Sequence, residues 1–535
     1  MKKIITASLV ASLALTSVAG AQSLSAQLNS LEAELAEVKK QLAKQNTKIN
    51  KVKAHDAQDN IKWGVDLRTA IDNINYDMAD GTSRKNSDLM SMRLWLNMAY
   101  APDSHNIFKG KLSMNKAFGA DFGLGDDMSM MRGFGMGSLF DWTGNQALAD
   151  NSLRVKEAYW LYLGDKAFGA DIPWTFSLGR RPSGTGFLAN LREDDPESSP
   201  LGHVINVEFD GFSSKLDLSN ITGVPGMSIK LCMGRGSTNA TPMFADATPY
   251  AENDGLNNID LAGFIFEPYN DGQFIVKANW YKAFDLPGME PDGFAISDDG
   301  LSAGIAASDF IQYGDMQGAA ISVLVDGLTE DGYFADAKVF GSFAWTKTQP
   351  NDGSSMLGSA DSETGTSYWI GAQLPVDDAG KGVIGLEYNH GSQYWRPFTY
   401  AEDTMIGSKI AARGDAWEAY FTYQLTDALS AQVRYTNIDY DYAGSQGFFG
   451  NLSGDATKIS DIKAGAATFA ALGGETGPDG VVLSSLATVG QNLGMSGMDP
   501  AAIPDTVEAL AGASLFAQNV VESAQDFRFY LRYRF

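Results

Sequence analysis

The chain contains very few of the residues that build redox and transition-metal sites. Among its 535 residues there is one cysteine, Cys232, and only four histidines, which lie far apart in the sequence. A single cysteine excludes an intramolecular disulfide, a cysteine zinc site and an iron–sulfur cluster. Bases are also scarce, since 40 Lys and Arg stand against 65 Asp and Glu, a formal net charge of −25. Because a chain this acidic repels phosphate backbones, we expect no nucleic-acid partner.

Long apolar runs are missing as well, once the first residues of the chain are set aside. Residues 1–21 have a basic start at Lys2 and Lys3, a short apolar stretch and small residues at 19–21. This pattern predicts a cleaved secretory signal peptide. After it, no run of about 18 apolar residues offers a transmembrane helix. The exported chain is therefore either soluble or a β-barrel, because in lipid only helices and closed barrels satisfy every backbone polar group.

Residues 22–60 predict a periplasmic coiled-coil helix and a linker. Apolar side chains recur in alternating steps of four and three over about four heptads, with acids early and lysines late. A coiled coil needs partners, so this segment predicts a homo-oligomer; the alternative is an amphipathic helix packed on the chain's own barrel. The predicted oligomerisation residues are Leu28, Leu31, Leu35, Val38, Leu42 and Ile49.

From residue 61 the apolar period changes to two, which predicts an all-β fold. Segments of about ten alternating residues are typical of transmembrane barrels. Residues 61–535 therefore predict an antiparallel β-barrel of about 16 strands. Two of the predicted strands are ambiguous. In the strand 152–164, either choice of the lipid-facing side places a charged residue outside. The segment 203–217 forms either one strand or two short strands. The predicted spans are 61–76, 89–101, 106–118, 152–164, 173–182, 203–217, 227–236, 257–267, 273–284, 317–327, 333–346, 366–376, 382–391, 413–424, 430–441 and 524–535.

The predicted connections alternate between long and short, as expected for outer loops and periplasmic turns. The stretch 77–88 is one predicted long loop. Loop 119–151 is rich in Gly and Met and is a candidate constriction loop. Loop 442–523 is unusually long and has Ala-rich stretches of helical character, so it predicts a partly helical structure of its own. It either plugs or caps the pore or projects outward as an interaction surface.

The last strand carries the most specific local signal. Phe529, Leu531, Tyr533 and Phe535 share one face, and polar residues occupy the other. This ending resembles the C-terminal assembly signal of Gram-negative outer-membrane barrels. The resemblance implies that these four residues direct membrane assembly and that the barrel-assembly machinery is a partner.

The whole pattern resembles the outer-membrane porin superfamily over roughly residues 61–535. The stretches 153–160 and 176–182 are similar to an uncharacterised family of porin-like barrels, and the N-terminal coiled coil is similar to that of porins with a periplasmic stalk. The resemblance implies a location in the Gram-negative outer membrane, contact with its lipid and lipopolysaccharide, and a homotrimer.

The predicted strands are mildly basic, whereas the predicted loops are strongly acidic. In one interpretation, rings of charged side chains in the lumen set the ion selectivity of a water-filled pore. In the other, the lumenal bases pair with acidic side chains and only stabilise the barrel wall. Both interpretations stay open, and neither ion preference is favoured. The bases predicted to line the pore are Arg68, Lys109, Lys111, Arg181, Lys277, Arg434, Arg528, Arg532 and Arg534.

Carboxylates cluster in two of the loops. One group is Asp121, Asp126, Asp127 and Asp141, and another is Glu252, Asp254 and Asp260. Hard cations favour such oxygen ligands, so a loosely bound Ca²⁺ or Mg²⁺ is one interpretation and a solvated acidic surface is the other. No confident metal site and no other cofactor is predicted.

Two functions fit these patterns. The first is a porin-like channel for passive passage of ions or small hydrophilic solutes. The alternative is a non-conducting barrel that acts as a surface-interaction protein or as a sheath for a partner. An enzyme is not predicted, because His203 and His390 lie near predicted rims without a nucleophile motif. Cys232 is expected to face the lumen as a small filler residue.

Overall fold

The computed structural model describes residues 61–120, 148–182, 184–241, 243, 247–252, 257–289, 294–297, 300–305, 310–377, 380–399, 404–445, 455–477 and 480–535. By internal contacts the chain divides into two units. One is Met1–Ile61 with Tyr100–Ser104, and the predicted signal peptide and coiled coil in it lie outside the described residues. The other, Lys62–Ala99 with His105–Phe535, contains the barrel.

Sixteen strands of the described ranges close into one barrel in the order β1-β2-β3-β4-β5-β8-β9-β10-β11-β14-β15-β16-β17-β18-β19-β22. This confirms the predicted barrel of about 16 strands. The bounds are β1 Lys62–Met78, β2 Ser83–Tyr100, β3 Asn106–Ala117, β4 Arg154–Gly164, β5 Trp174–Arg181, β8 Phe209–Asp217, β9 Ser228–Ser237, β10 Ile259–Asn270, β11 Phe274–Met289, β14 Phe310–Asp326, β15 Lys338–Pro350, β16 Thr364–Pro375, β17 Gly382–Gly391, β18 Gly414–Gln424, β19 Leu429–Tyr440 and β22 Val521–Arg534.

Alternating side chains give the barrel an apolar outside and a polar inside. On β1, Leu67 and Ile71 are exposed on the outer face, while Asp66 and Asp72 are buried inside. The closing pair of β1 and β22 leaves no free sheet edge. No helix in the described ranges is long and apolar enough to cross a membrane. The four predicted assembly residues all lie exposed on the outer face: Phe529, Leu531, Tyr533 and Phe535.

The two rims of the barrel differ in their connections. The terminal rim carries Lys62, Phe535 and most of the short turns; the long-loop rim carries the longer connections and the short turn between β1 and β2. The predicted long loop 77–88 is wrong, because β1 and β2 stay paired as far as Asp77 and Ser83 and a four-residue turn joins them. The polar residues near this turn interrupt the apolar alternation, although main-chain pairing continues through them.

A bulge in β4 explains why the sequence left its outward face ambiguous. Lys111 of β3 pairs with Glu157, and the next residue of β3 pairs with Val155, so Lys156 is an extra residue in β4. Val155 and Trp160 therefore both lie exposed on the outside, although an odd number of positions separates them. The strict alternation assumed from sequence fails at this one residue.

The remaining elements lie in the longer connections. Strands β6 Gly186–Phe187 and β7 Ser198–Leu201 form a small parallel pair. A second small sheet contains β12 Phe294–Ile296, β13 Ser302–Ile305, β20 Thr476–Gly477 and β21 Gly480–Val482. The helices are α1 Ser219–Thr222, α2 Ile459–Ala471, α3 Leu483–Met495 and α4 Ile503–Ala517, with short 3₁₀ turns at Tyr333–Asp336 and Lys409–Ala411.

Helices α2, α3 and α4 lie in the long connection between β19 and β22, which we call the cap (residues 455–520). They pack on one another around Phe469, Val489 and Leu515. At one side, Ala79 in the β1–β2 turn donates to Val520 O at 2.9 Å. At the other side, β21 pairs with β13, which lies between β11 and β14. Since β1 and β11 stand on opposite sides of the sixteen-strand ring, these connections meet over the barrel mouth.

Candidate functional site in the barrel lumen

The connection between β5 and β8 folds into the barrel; we call residues 184–208 the insert. Six of its apolar side chains are at most 4% exposed: Phe187, Leu188, Leu201, Val204, Ile205 and Val207. They form one core cluster with inward-facing wall residues, which include Tyr281, Met316, Ala320, Leu324, Phe340, Ala344 and Trp369. Burial of each large apolar side chain contributes about 2 kcal/mol. The insert is therefore a packed part of the fold.

This finding corrects the predicted strand 203–217. Strand β8 begins at Phe209, and residues 203–208 belong to the insert. The apolar residues of 203–207 resemble a strand in sequence, but they face the interior cluster from within the lumen. The sequence therefore placed a lumen-filling segment in the wall.

A second connection enters the lumen beside the insert. Residues 392–413, which we call the second insert, join β17 to β18, and Trp395 within them is fully buried. The two segments bond main chain to main chain, because Asn206 N donates to Phe398 O at 2.8 Å and Phe398 N donates to Val204 O at 3.0 Å. The lumen thus holds a two-segment filling whose apolar side packs on the wall.

The tip of the insert carries charges that match the wall. Glu193 accepts hydrogen bonds from Arg434 at 2.8 Å and from the Tyr530 hydroxyl at 2.6 Å. Arg532 donates to Asp195 at 2.5 Å and also binds Asp66. Because Arg532 lies close to the C-terminus on β22, the tip reaches the terminal rim. The insert therefore runs along most of the lumen.

A second buried charge network joins both inserts to the wall. Glu418 accepts from Arg192 of the insert at 3.1 Å and from Lys409 of the second insert at 2.5 Å. Lys409 also donates to Glu387 at 2.7 Å. Breaking one partner of such a pair leaves an uncompensated buried charge. These contacts fix the position of the inserts relative to β17 and β18.

His203 of the insert is buried between two wall strands. Its Nδ1 lies 2.7 Å from Ser342 Oγ, and its Nε2 lies 2.9 Å from Ser367 Oγ. Burial lowers the pKa of His203 to about 3, because a charged imidazole loses its hydration there. The ring is therefore neutral, with one nitrogen donating and the other accepting. This histidine anchors the insert.

Five of the nine bases predicted to line the pore hold the insert. Arg434 and Arg532 bind its tip as described. Arg68 Nη1 lies 3.7 Å from Glu193 Oε2, and Arg534 Nη2 lies 2.9 Å from Asp194 Oδ2. Lys277 pairs with Glu197 of the insert and lies 3.5 Å from Glu267. These bases face inward, but all five of them contact protein carboxylates.

The other four bases contact the wall or the open lumen. Arg528 pairs with Asp72, and Lys111 Nζ lies 2.5 Å from Glu157. The Arg181 guanidinium stacks over the Tyr159 ring at 4.0 Å. Lys109 is exposed, and in the described ranges it makes no ion pair. Among the nine predicted bases, Lys109 is therefore the one that is exposed without an ion pair in the described ranges.

On the side of β1 to β5 the insert contacts the wall through charged side chains, such as Arg68 with Glu193 and Lys156 with Glu208. In the described ranges the apolar cluster that holds the insert takes no residue from β1 to β5. We call the inner face of β2 to β5 the lane. Between it and the insert lies a small cavity of about 40 Å³, which has room for a few water molecules or one small ion. Its lining includes Arg93, Trp95, Asn115, Lys156, Thr185, Arg192, Glu193, Asp195, Asn206, Glu387 and Lys409.

The predicted constriction loop and most of the acidic loop residues lie outside the described residues. These include residues 121–147 of loop 119–151, with all four of its aspartates, and Asp254. Asp260 is paired with Arg235 at 2.8 and 3.0 Å. In the part of the chain that the structure describes, no group of three His, Cys, Asp or Glu side chains is placed to hold a metal ion.

Sequence reasoning missed the insert, which is the main determinant of the lumen. A signal was present, because seven large apolar residues between 187 and 207 flank the charged run 192–195. A solvated loop rarely carries such a set. The pattern indicated a buried loop, but not the wall strands on which it packs.

One protein-family model and several solved structures are similar to this chain. A family model described as "Protein of unknown function (DUF3373)" matches residues 83–473. No curated protein matches the chain. Similar solved structures include the anion-selective porin from Comamonas acidovorans, at 12% identity, covering 89% of this chain and 99% of that one, with a TM-score of 0.41. OprB of Pseudomonas putida is 10% identical, with coverage of 89% and 94% and a TM-score of 0.42. At these values the likeness carries no functional argument.

Proposed function

The chain belongs to the DUF3373 family of proteins of unknown function, and from that premise we propose that it is an outer-membrane channel narrowed by its own insert. It passes ions and small hydrophilic solutes along the lane. The observation that carries this proposal is the contrast between the two sides of the lumen. Strands β10 to β16 share an apolar cluster with the insert, whereas in the described ranges β1 to β5 contribute no residue to it and Lys109 on the lane is exposed.

The outer surface supports a membrane location. Exposed aromatic and aliphatic residues cover the outward positions of the strands, among them Leu178, Phe264, Ile321, Phe343, Ile370 and Leu386. A closed barrel with an apolar belt satisfies its backbone inside lipid. The outer membrane of a Gram-negative cell, reached through cleavage of residues 1–21, is the compartment that fits such a barrel.

Single-channel recording of the mature protein in a planar bilayer tests the channel. We expect discrete steps that are smaller than those of an unobstructed barrel of this strand number, because the inserts occupy part of the cross-section. The control is the same preparation after heat unfolding. A silent bilayer from protein that is folded by its gel mobility and circular dichroism would contradict the proposal.

A non-conducting surface-interaction barrel is the second candidate, and the cap favours it. The cap has its own apolar core and joins opposite sides of the ring over the mouth. If the wild type is silent and a variant with a short turn in place of 443–519 conducts, the cap closes the barrel. If both are silent, the interaction function is favoured.

A homotrimer held by the coiled coil of 22–60 is proposed as the assembly, with lipopolysaccharide, lipid and the assembly machinery as partners. We expect chemical cross-linking of the mature protein in native membranes to give a trimer. Deletion of 22–60 reduces that product if the coiled coil holds the subunits. An unchanged cross-linking pattern would assign the contact to the barrel wall. No enzymatic activity is proposed.

A further inference from the structure

One indole on the lane is surrounded by positive charge. Trp95 of β2 faces the lumen, and the Arg93 guanidinium lies 3.5 Å from the centre of its ring. The ammonium groups of Lys111 and Lys156 lie 4.8 and 5.8 Å from the same ring. Each of these cations is attracted to the ring face. Three strands thus direct three cations to one aromatic side chain.

The same indole holds an unused donor. Trp95 is only 8% exposed, and its Nε1–H has no hydrogen-bond partner in the described ranges. A buried donor without a partner costs about 1–3 kcal/mol, so native structures rarely keep one without a role. Trp95 borders the cavity of about 40 Å³. The unused donor therefore belongs to a residue that lines this cavity.

The chemistry of a ligand in this cavity follows from the donors around it. An indole N–H only donates, so the ligand must present an acceptor. The nearby cations favour an acceptor that carries negative charge, because hydrogen bonds to ionised groups are the stronger ones. Each of the three cations already has a carboxylate partner: Glu157 pairs with Lys111, Glu208 with Lys156 and Asp66 with Arg93. These carboxylates limit the affinity, which suits a solute that must bind and then leave.

We infer that the cavity beside Trp95 is a binding subsite for a small oxyanion, such as inorganic phosphate or a small carboxylate. As a statement about the transported solute, this rests on the proposed channel function. The oxyanion accepts the Trp95 Nε1–H bond and lies near the Arg93 and Lys156 cations. The subsite makes the lane selective for anions although the whole chain is strongly acidic.

Trp95→Phe tests the subsite with the smallest available change. It removes the N–H and keeps an aromatic ring for the cations. Trp417→Phe is the matched control, because Trp417 lies exposed on the outside of the barrel. The probe is inorganic phosphate at neutral pH. Binding is measured by titration calorimetry on the detergent-purified protein and, independently, as phosphate block of chloride current in the bilayer.

We expect phosphate to bind the wild type and the Trp417→Phe control alike, and Trp95→Phe to weaken binding about tenfold, as for a hydrogen bond to a charged group. Equal binding by Trp95→Phe and the wild type would overturn the subsite, as would no binding by the wild type. Both variants must first show the heat-shifted gel mobility of a folded barrel. Conduction without phosphate block overturns only the subsite; calorimetric binding without any conduction overturns only the channel.

Discussion

The insert and the cap are both long connections between neighbouring strands, yet one lies inside the barrel and the other outside. The strands that flank each connection are hydrogen-bonded neighbours up to the points where the connection begins and ends. Arg181 pairs with Phe209 on either side of the insert, and Asp439 pairs with Ser523 on either side of the cap. The insert shares its apolar cluster with the wall, whereas the cap buries its apolar residues among its own helices. A loop therefore enters a lumen when the wall beside it offers buried apolar positions and charges of opposite sign.

Replacement of each loop by a short turn is expected to give the largest difference between the two. Because the strand ends that flank each loop are paired with each other, a brief Gly-Ser turn can replace 183–207 or 443–519 without moving the strands. We expect the first replacement to raise single-channel conductance severalfold, since a barrel of this strand number leaves an aqueous channel. The second should change it less. A larger rise on removal of the cap would place the main obstruction at the mouth.

Two adjacent residues at the tip of the insert offer a sharper test. Glu193→Gln removes a buried charge that contacts Arg434 and Arg68. We expect a loss of about 3 kcal/mol in the free energy of unfolding, because the arginines remain buried without their counter-charge. Asp194→Asn is the control, because Asp194 is 94% exposed, and exposed pairs contribute less than about 1 kcal/mol.

Urea titration of both tip variants in lipid vesicles measures these differences. Equal destabilisation by the two would mean that the buried pairs do not hold the insert. A large conductance change with unchanged stability would mean that the tip moves without unfolding the barrel.

Acid should loosen the insert through His203. Burial lowers its pKa to about 3, below the ordinary value of 6.5. Between these two pH values the unfolded chain binds a proton that the folded chain does not, so stability falls as pH drops below 6.5. By pH 4 the loss is about 3 kcal/mol. The effect is absent above pH 7.

His203→Gln separates this contribution from that of the carboxylates. Glutamine keeps a donor and an acceptor for Ser342 and Ser367 but does not titrate. We expect the unfolding free energy of the variant to fall less steeply than that of the wild type between pH 6.5 and 4. Parallel pH profiles would show that His203 is protonated without cost.

The wall could be predicted from the sequence because each strand carries its own alternation, as β16 and β22 do. Register errors arose where that local signal breaks, at the extra residue Lys156 and in the polar turn after Met78. The lumen could not be predicted in the same way. Leu188 shares its apolar cluster with Phe340, and Glu193 pairs with Arg434, although both partners lie far along the chain. Such contacts depend on the closed ring, and alternation within one strand carries no information about them.

The most local expected effect concerns a single thiol on the wall beside the insert. Cys232 of β9 pairs with Ser213, which is buried on the inner face, so its side chain points into the barrel. Lys230, two residues earlier on the same face, donates to Ser199 of the insert at 2.8 Å. The insert therefore covers this part of the wall and limits access of water-soluble reagents to the thiol.

We expect a charged aqueous maleimide to label Cys232 slowly in the wild type and about tenfold faster once 183–207 is replaced by a turn, because opening a covered site raises exposure of its groups. Replacement of 443–519 is the matched control and should leave the rate nearly unchanged. The rate is followed by the mass shift of the intact protein in vesicles. Rapid labelling by a lipid-soluble maleimide alone would place Cys232 on the outer face instead, which would require β9 to be shifted by one residue.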